Sequence, residues 1–343
     1  MWEQPVSLIC YLVVAALVVF LSIKLSDFVD LLDKKTNISG AFLGGILLAA
    51  VTSLPELFTS ITATTLIGNN KYVLGNILGS DLFNITLFAI IYIVFFTKLA
   101  TSKVGKYHLL SLLFIGVLYA TTTVAGFVFN FNNILWGWFN PLSILIVAIY
   151  VLAVIKTPKT EEAEDKETNS KLTVKQIVVL FILFSLLLIG ASIGITYLTD
   201  WVVRSFNMGS TLGGALFLGV ATSLPEMTAT ITLCHKKNFN AAYGNILGSC
   251  VFNFIILAFA DVLSFRAGPL YNFDQSAFLL LIASALSILI AVISILLTIK
   301  GLKNNLAYRI LFIAFGVILL ASYISYVVLS TIDLGFNFAP FIV

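Results

Sequence analysis

Ionic charge is what this sequence has least of. Only 10% of its 343 residues are Asp, Glu, Lys or Arg, whereas 60% are hydrophobic and mean hydropathy is +1.07. A water-soluble domain carries about 25% charged residues, so a soluble enzyme is excluded. Cysteine is scarce: Cys10, Cys234 and Cys250 are scattered, with no C-x-x-C pair, which argues against a zinc site or a disulfide framework. There are two histidines, His108 and His235, so His-based metal binding and nucleophile–His catalysis have almost no raw material. No basic block suits nucleic acid, and the net charge is only +3.

What remains is apolar sequence in stretches near or above the roughly 20 residues that span a bilayer. Ten segments can be marked, at about 5–26, 40–67, 72–97, 106–128, 138–156, 174–200, 209–234, 240–264, 276–300 and 306–331. Polar turns separate them, among them Asp33-Lys34-Lys35, Asn69-Asn70-Lys71 and Lys300 to Asn305. The leader MWEQPVS has no Lys or Arg, and no A-x-A pattern follows the first apolar run. That run therefore reads as a first transmembrane helix rather than a signal peptide.

Lysine and arginine collect in cytoplasmic loops. With the N-terminus outside, sixteen of the 19 Lys and Arg fall in inside connections, and only Lys71, Arg204 and Arg266 fall outside. A missed or extra helix would scramble that bias. The expectation is an all-α polytopic protein of the cell membrane with ten helices, both termini outside and a cytoplasmic charged linker at 157–172. No obligate protein partner is evident.

The two sides of that linker repeat each other. TSLPE stands at 52–56 and at 222–226; GNILGS stands at 75–80 and at 244–249. The spacers are 18 residues (57–74) and 17 residues (227–243), and Phe83-Asn84 and Phe252-Asn253 follow. Pro, Glu and Asn recurring inside apolar helices are not a compositional accident. Five helices per half is an odd number, so the halves, 1–156 and 173–343, are expected to be inverted copies, with substrate near the midplane.

Glu56 and Glu226 sit near the middles of helices 2 and 7. A carboxylate at that depth costs roughly 2.5 kcal/mol or more and normally marks function. A pairing with Lys or Arg is disfavoured because none is expected at that depth; a structural, protonated Glu is the blander alternative. Pro55 and Pro225 each remove a helical hydrogen bond, so helices 2 and 7 are expected to break near Thr52–Pro55 and Thr222–Pro225. The freed carbonyls would favour cations.

On helix 3, Asn76, Ser80 and Asn84 share a face, as do Asn245, Ser249 and Asn253 on helix 8. Gly75, Gly79, Gly244 and Gly248 form small-xxx-small pairs for close packing. Asn76 and Asn245 read as helix glue. Glu56, Glu226, Thr52, Ser53, Thr222, Ser223, Ser80, Ser249, Asn84 and Asn253 together supply many oxygens and no sulfur or imidazole. That donor set suits hard cations, Ca²⁺ or Na⁺. Asp81, whose counterpart is Cys250, is an accessory candidate: it either flanks the cation path or packs elsewhere while protonated. Asp261 and Asp274 fall near helix ends, where solvation is expected.

The pattern TSLPE…GNILGSDLFN and TSLPE…GNILGSCVFN resembles the alpha repeats of the sodium/calcium exchangers, within the cation/calcium exchanger superfamily. The repeats lie at about 40–90 and 210–259. The resemblance implies alternating access, Ca²⁺ and Na⁺ as transported ions, no cofactor, and a site lined by helices 2, 3, 7 and 8. It makes Glu56 and Glu226 the main acidic ligands, and it matches Ala49 and Gly219 to positions offering backbone carbonyls. Some relatives, potassium-dependent exchangers among them, carry Asp where Asn253 stands. Proton/calcium relatives often carry Gly-Asn where this chain has Thr-Ser, which leans toward sodium. A proton/calcium antiporter, a transporter of another divalent cation such as Mg²⁺ or Mn²⁺, and a cation channel are the alternatives.

Overall fold

A computed structural model describes residues 3–35, 52–102, 104–127, 140–156, 172–235, 237–302 and 304–332. Among the described residues there is no strand. The main helices are α1 (Glu3–Lys35), α2 (Leu54–Thr62), α3 (Asn70–Val94), α4 (Tyr107–Phe127), α5 (Leu142–Lys156), α6 (Val174–Ser205), α7 (Val220–His235), α8 (Phe239–Leu263), α9 (Gln275–Ile299) and α10 (Leu306–Ser330). Eight described helices are long and apolar enough to cross a membrane. Helix α2 has nine described residues and α5 has 15; residues 36–51, which hold most of the second apolar segment expected from the sequence, lie outside the described residues.

The polar turns work as caps. Asn69 accepts from the Lys71 amide at the start of α3, and Asn238 accepts from the Ala241 amide at the start of α8. Thr173 and Gln176 form a reciprocal capping box on α6. Asn305 caps α10 through the Tyr308 amide. Each cap supplies an acceptor to an N–H that helix geometry leaves orphaned.

Two boundaries depart from expectation. The turn at Asp33-Lys34-Lys35 is not a turn: α1 runs through it to Lys35. No Gly or Pro interrupts residues 26–35, so polarity alone does not stop the helix. Helix α7 is also continuous through Thr222–Pro225, with Pro225 inside it. The irregularity lies upstream, where Gly214–Gly219 is π-helical. Such a widened turn absorbs an extra residue and relieves the backbone around a proline. In the first half α2 starts at Leu54, with Pro55 in its first turn, where a missing N–H costs nothing. A second π-helical stretch, Ala63–Ile67, follows α2.

Helices α3 and α8 form the interior. Their membrane-length windows are 78% and 67% buried, against 33% for α1 and 22% for α6. Around them the packing is paired. Helix α4 lies on α8 as α9 lies on α3; α5 lies on α8 as α10 lies on α3; α2 touches α6 as α7 touches α1. Helices α1 and α6 run along each other at the periphery. Gly75 and Gly79 bring α3 against the π-helical stretch and the short turn Ser210–Gly213 before it: a Cβ on Gly75 would meet the Thr211 carbonyl oxygen at 2.1 Å, and one on Gly79 would meet the Ala215 Cα at 2.6 Å.

Candidate functional site

TSLPE lies at the head of α2 in one half and in the first two turns of α7 in the other; GNILGS lies in the N-terminal halves of α3 and α8. The fold brings these four segments together. Thr52, Ser53, Glu56, Thr222, Ser223, Glu226, Ser80, Asn84, Ser249 and Asn253 are each no more than 3% exposed. Gly219 is buried at the end of the π-helical stretch, so close to α3 that a Cβ there would meet the Ser80 amide nitrogen at 2.9 Å. Ala49 lies outside the described residues.

Equivalent contacts recur in the two halves. Ser80 Oγ donates to Glu56 Oε1 at 3.4 Å, and Ser249 Oγ donates to Glu226 Oε1 at 3.5 Å. Asn76 Nδ2 donates to the Glu56 carbonyl at 3.3 Å and to Ser60 Oγ at 3.0 Å. Asn245 Nδ2 donates to the Glu226 carbonyl at 3.1 Å and to Thr230 Oγ1 at 3.0 Å. These two amides tie α3 to α2 and α8 to α7.

Other contacts cross between the halves. Ser80 and Ser223 share a hydrogen bond between hydroxyls. The Thr222 side chain lies against the Glu56 carboxylate, and Thr52 lies against that of Glu226. In each glutamate, Oε2 has no hydrogen-bond partner. Ser53 Oγ, Asn253 Oδ1 and both amide atoms of Asn84 are likewise buried and unpartnered. A desolvated polar atom without a partner costs roughly 1–3 kcal/mol, more when charged. Neither glutamate is in an ion pair with a described Lys or Arg.

The remaining acids divide. Asp81 is fully buried on α3 and accepts from Asn253 Nδ2 on α8 at 2.8 Å. Asp261 is not solvated as expected; it is 1% exposed. Its Oδ2 accepts from the Asn140 amide and from Ser143 Oγ, both at 2.7 Å, because Asn140 and the first turn of α5 lie against the end of α8. Asp274 caps α9 and pairs with Lys71 at 3.3 Å, so it is only partly open to water. The sequence reading missed Ser60 and Thr230 as amide partners, although each stands one helical turn after its glutamate.

A family model described as sodium/calcium exchanger protein matches residues 6–156 and 176–332. The chain belongs to the sodium/calcium exchanger family. The family and its structural neighbours are transporters, not enzymes. Among curated proteins, an uncharacterised membrane protein of Methanocaldococcus jannaschii is 26% identical over 214 residues, covering 62% of this chain and 67% of the relative. The putative antiporter CaxA of Alkalimonas amylolytica is 25% identical, over 65% and 69% of the two chains. Among solved structures, the H+/Ca2+ exchanger CAX superposes with a TM-score of 0.66 at 15% identity, covering 95% of this chain and 90% of its own. The sodium-calcium exchanger NCX_Mj does so with a TM-score of 0.56 at 21% identity, covering 93% and 99%. The exchanger fold is thus shared by structures whose counter-ions differ.

Proposed function

We propose that this protein is a cation/Ca²⁺ antiporter that exchanges Na⁺ for Ca²⁺ by alternating access, at a site built on Glu56 and Glu226. The observation that carries the reading is the pair of buried carboxylates, one from each half, each with one oxygen on its own serine and the other unpartnered. Thr52, Ser53, Thr222, Ser223, Ser80, Ser249, Asn84 and Asn253 add oxygens around them, and Ala49 and Gly219 add backbone carbonyls. Hard cations in flexible oxygen cages are the matching chemistry.

The same reading has ten spans in two inverted repeats, residues 1–156 and 173–343. The linker 157–172 is cytoplasmic and both termini are outside a prokaryotic cell membrane. The pairwise recurrence of helix contacts supports it. So does the twin Ser–Glu geometry.

Coupling follows from electrostatics. Two ionised carboxylates in a low-dielectric interior are costly to occlude uncompensated. One Ca²⁺ neutralises them, and so do two Na⁺. An empty site resists crossing, a loaded one reorients, and shared ligands make the ions compete. Net charge movement would make the exchange voltage-sensitive at about 2.3 kcal/mol per charge per 100 mV.

The test is uptake of radiolabelled Ca²⁺ into proteoliposomes with Na⁺, K⁺ or H⁺ gradients imposed separately. Uptake driven by an outward Na⁺ gradient at matched pH is the expected result. Uptake driven only by a pH gradient would make the protein an H⁺/Ca²⁺ antiporter instead. Flux far above carrier turnover and independent of any counter-ion would make it a channel.

A further inference from the structure

The two halves are not equal where their asparagines meet the site. Asn84 and Asn253 are repeat equivalents, both 1% exposed. Asn253 donates Nδ2 to Asp81 Oδ1 at 2.8 Å, and its Oδ1 is left buried and unpartnered. Asn84 has neither amide atom partnered. The cause is one substitution between the repeats. The residue after each GNILGS is Asp81 in the first and Cys250 in the second, so a carboxylate backs one asparagine and not the other.

An asparagine amide has a donor end and an acceptor end of nearly equal size. Unrestrained, it can turn its Nδ2 donors toward a cation site, which repels the cation. An acceptor held against one end fixes the choice. We propose that Asp81 is a positioning residue: it holds the Nδ2 of Asn253 so that Oδ1 is committed to the cation site, while Asn84 stays free to turn. Asp81 is enclosed rather than open. Its carboxylate lies against Asn253, Tyr119 and Cys250, and the Cys250 thiol points to the Asp81 carbonyl at 3.9 Å. The Asp81 Oδ2 is buried without a hydrogen-bond partner, as the Oε2 atoms of both glutamates are; the role proposed for Asp81 runs through Asn253. The arrangement gives the site one oxygen ligand fixed in advance and one that adapts. This rests on the reading of Asn253 as a ligand in the proposed site.

The experiment is a set of purified full-length variants in proteoliposomes, with Ca²⁺ half-saturation and maximal exchange measured separately. Asp81→Leu removes the acceptor; a roughly tenfold rise in half-saturation is expected, with a smaller change in maximal rate. Asp81→Asn keeps an oxygen for Asn253 and should stay within about twofold of wild type. The diagnostic variant adds Asn253→Asp to Asp81→Leu. A carboxylate presents oxygen at either end and needs no orienting partner, so the double variant should recover half-saturation. A packing defect at position 81 would not be repaired that way. If Asp81→Leu does not yield folded protein, Asp81→Ala, smaller and equally without an acceptor, serves in the same comparison. Unchanged half-saturation in Asp81→Leu, or no recovery in the double variant, overturns the proposal. Glu56→Gln and Glu226→Gln are run in parallel. Normal exchange in both would refute the site itself, whereas their failure beside an unaffected Asp81→Leu would refute only the orienting role.

Discussion

Glu56 and Glu226 each commit one carboxylate oxygen to a serine of the neighbouring helix and leave the other without a partner. Glutamine at either position keeps one oxygen, removes the negative charge and adds an NH₂ that repels a cation. Truncating one partner of a desolvated charge pair costs on the order of 2–5 kcal/mol. At 1.4 kcal/mol per tenfold, Glu56→Gln or Glu226→Gln should therefore lower Na⁺-driven Ca²⁺ uptake on the order of 100-fold or more. The variants should still elute as folded protein in size-exclusion chromatography, because the lost carboxylate makes no described ion pair. Near-normal uptake in both would remove the glutamates from the site. These residues were legible in the sequence because Glu inside an apolar run is expensive and occurs here twice in the same context. The asymmetry of Asn84 and Asn253 was not legible: sequence gives the identity of Asp81 but not which helix face it reaches.

Among elements, α3 packs backbone to backbone against the segment Ser210–Gly219, a short helical turn followed by the π-helical stretch Gly214–Gly219. A Cβ on Gly75 would fall 2.1 Å from the Thr211 carbonyl oxygen and 2.8 Å from the Ala215 amide nitrogen. Both neighbours are backbone and cannot rotate aside. Gly75→Ala should push α3 away from the Ser210–Gly219 segment and cost about 1–3 kcal/mol as an overpacking defect. A lower midpoint in thermal unfolding followed by intrinsic tryptophan fluorescence would register it, and an unchanged midpoint would contradict the packing. The small-xxx-small spacing announced this contact at Gly75 and Gly79, but the same spacing at Gly244 and Gly248 makes none: a Cβ added at either would meet nothing within 4 Å. The spacing did not announce the π-helix, because a widened turn leaves no single residue signature. Pro225 pointed to a break at Thr222–Pro225, whereas the chain adjusts one turn earlier, at glycine-flanked Gly214–Gly219. Helix ends were legible where a capping side chain stands, as at Asn69 and Asn305, and illegible at the end of α1, where charge without Gly or Pro did not stop the helix.

For the whole molecule, the decisive question is whether α5 crosses. Its 15 residues rise about 22 Å at 1.5 Å per residue, short of the roughly 30 Å hydrocarbon thickness. The 32 residues of α6 rise about 48 Å. The proposed topology nevertheless has a crossing there, because the charge bias of the loops predicts an inside location for Lys156, Lys159, Lys166 and Lys171, which follow or end α5. Three single cysteines in a background lacking Cys10, Cys234 and Cys250 decide it, read with a membrane-impermeant thiol reagent on intact cells. Lys71→Cys lies in the first turn of α3, Thr160→Cys in the linker, and Asn304→Cys before α10. If α3, α4 and α5 all cross, position 71 is separated from position 160 by an odd number of spans and only position 71 labels. Four further spans, α6 to α9, return the chain to the same side, so position 304 behaves like position 160 and labels only after permeabilisation. Were α5 to stop short of crossing, positions 71 and 160 would label alike. The two halves would then no longer be related by inversion, and the twin Ser–Glu contacts would need another origin than an inverted repeat.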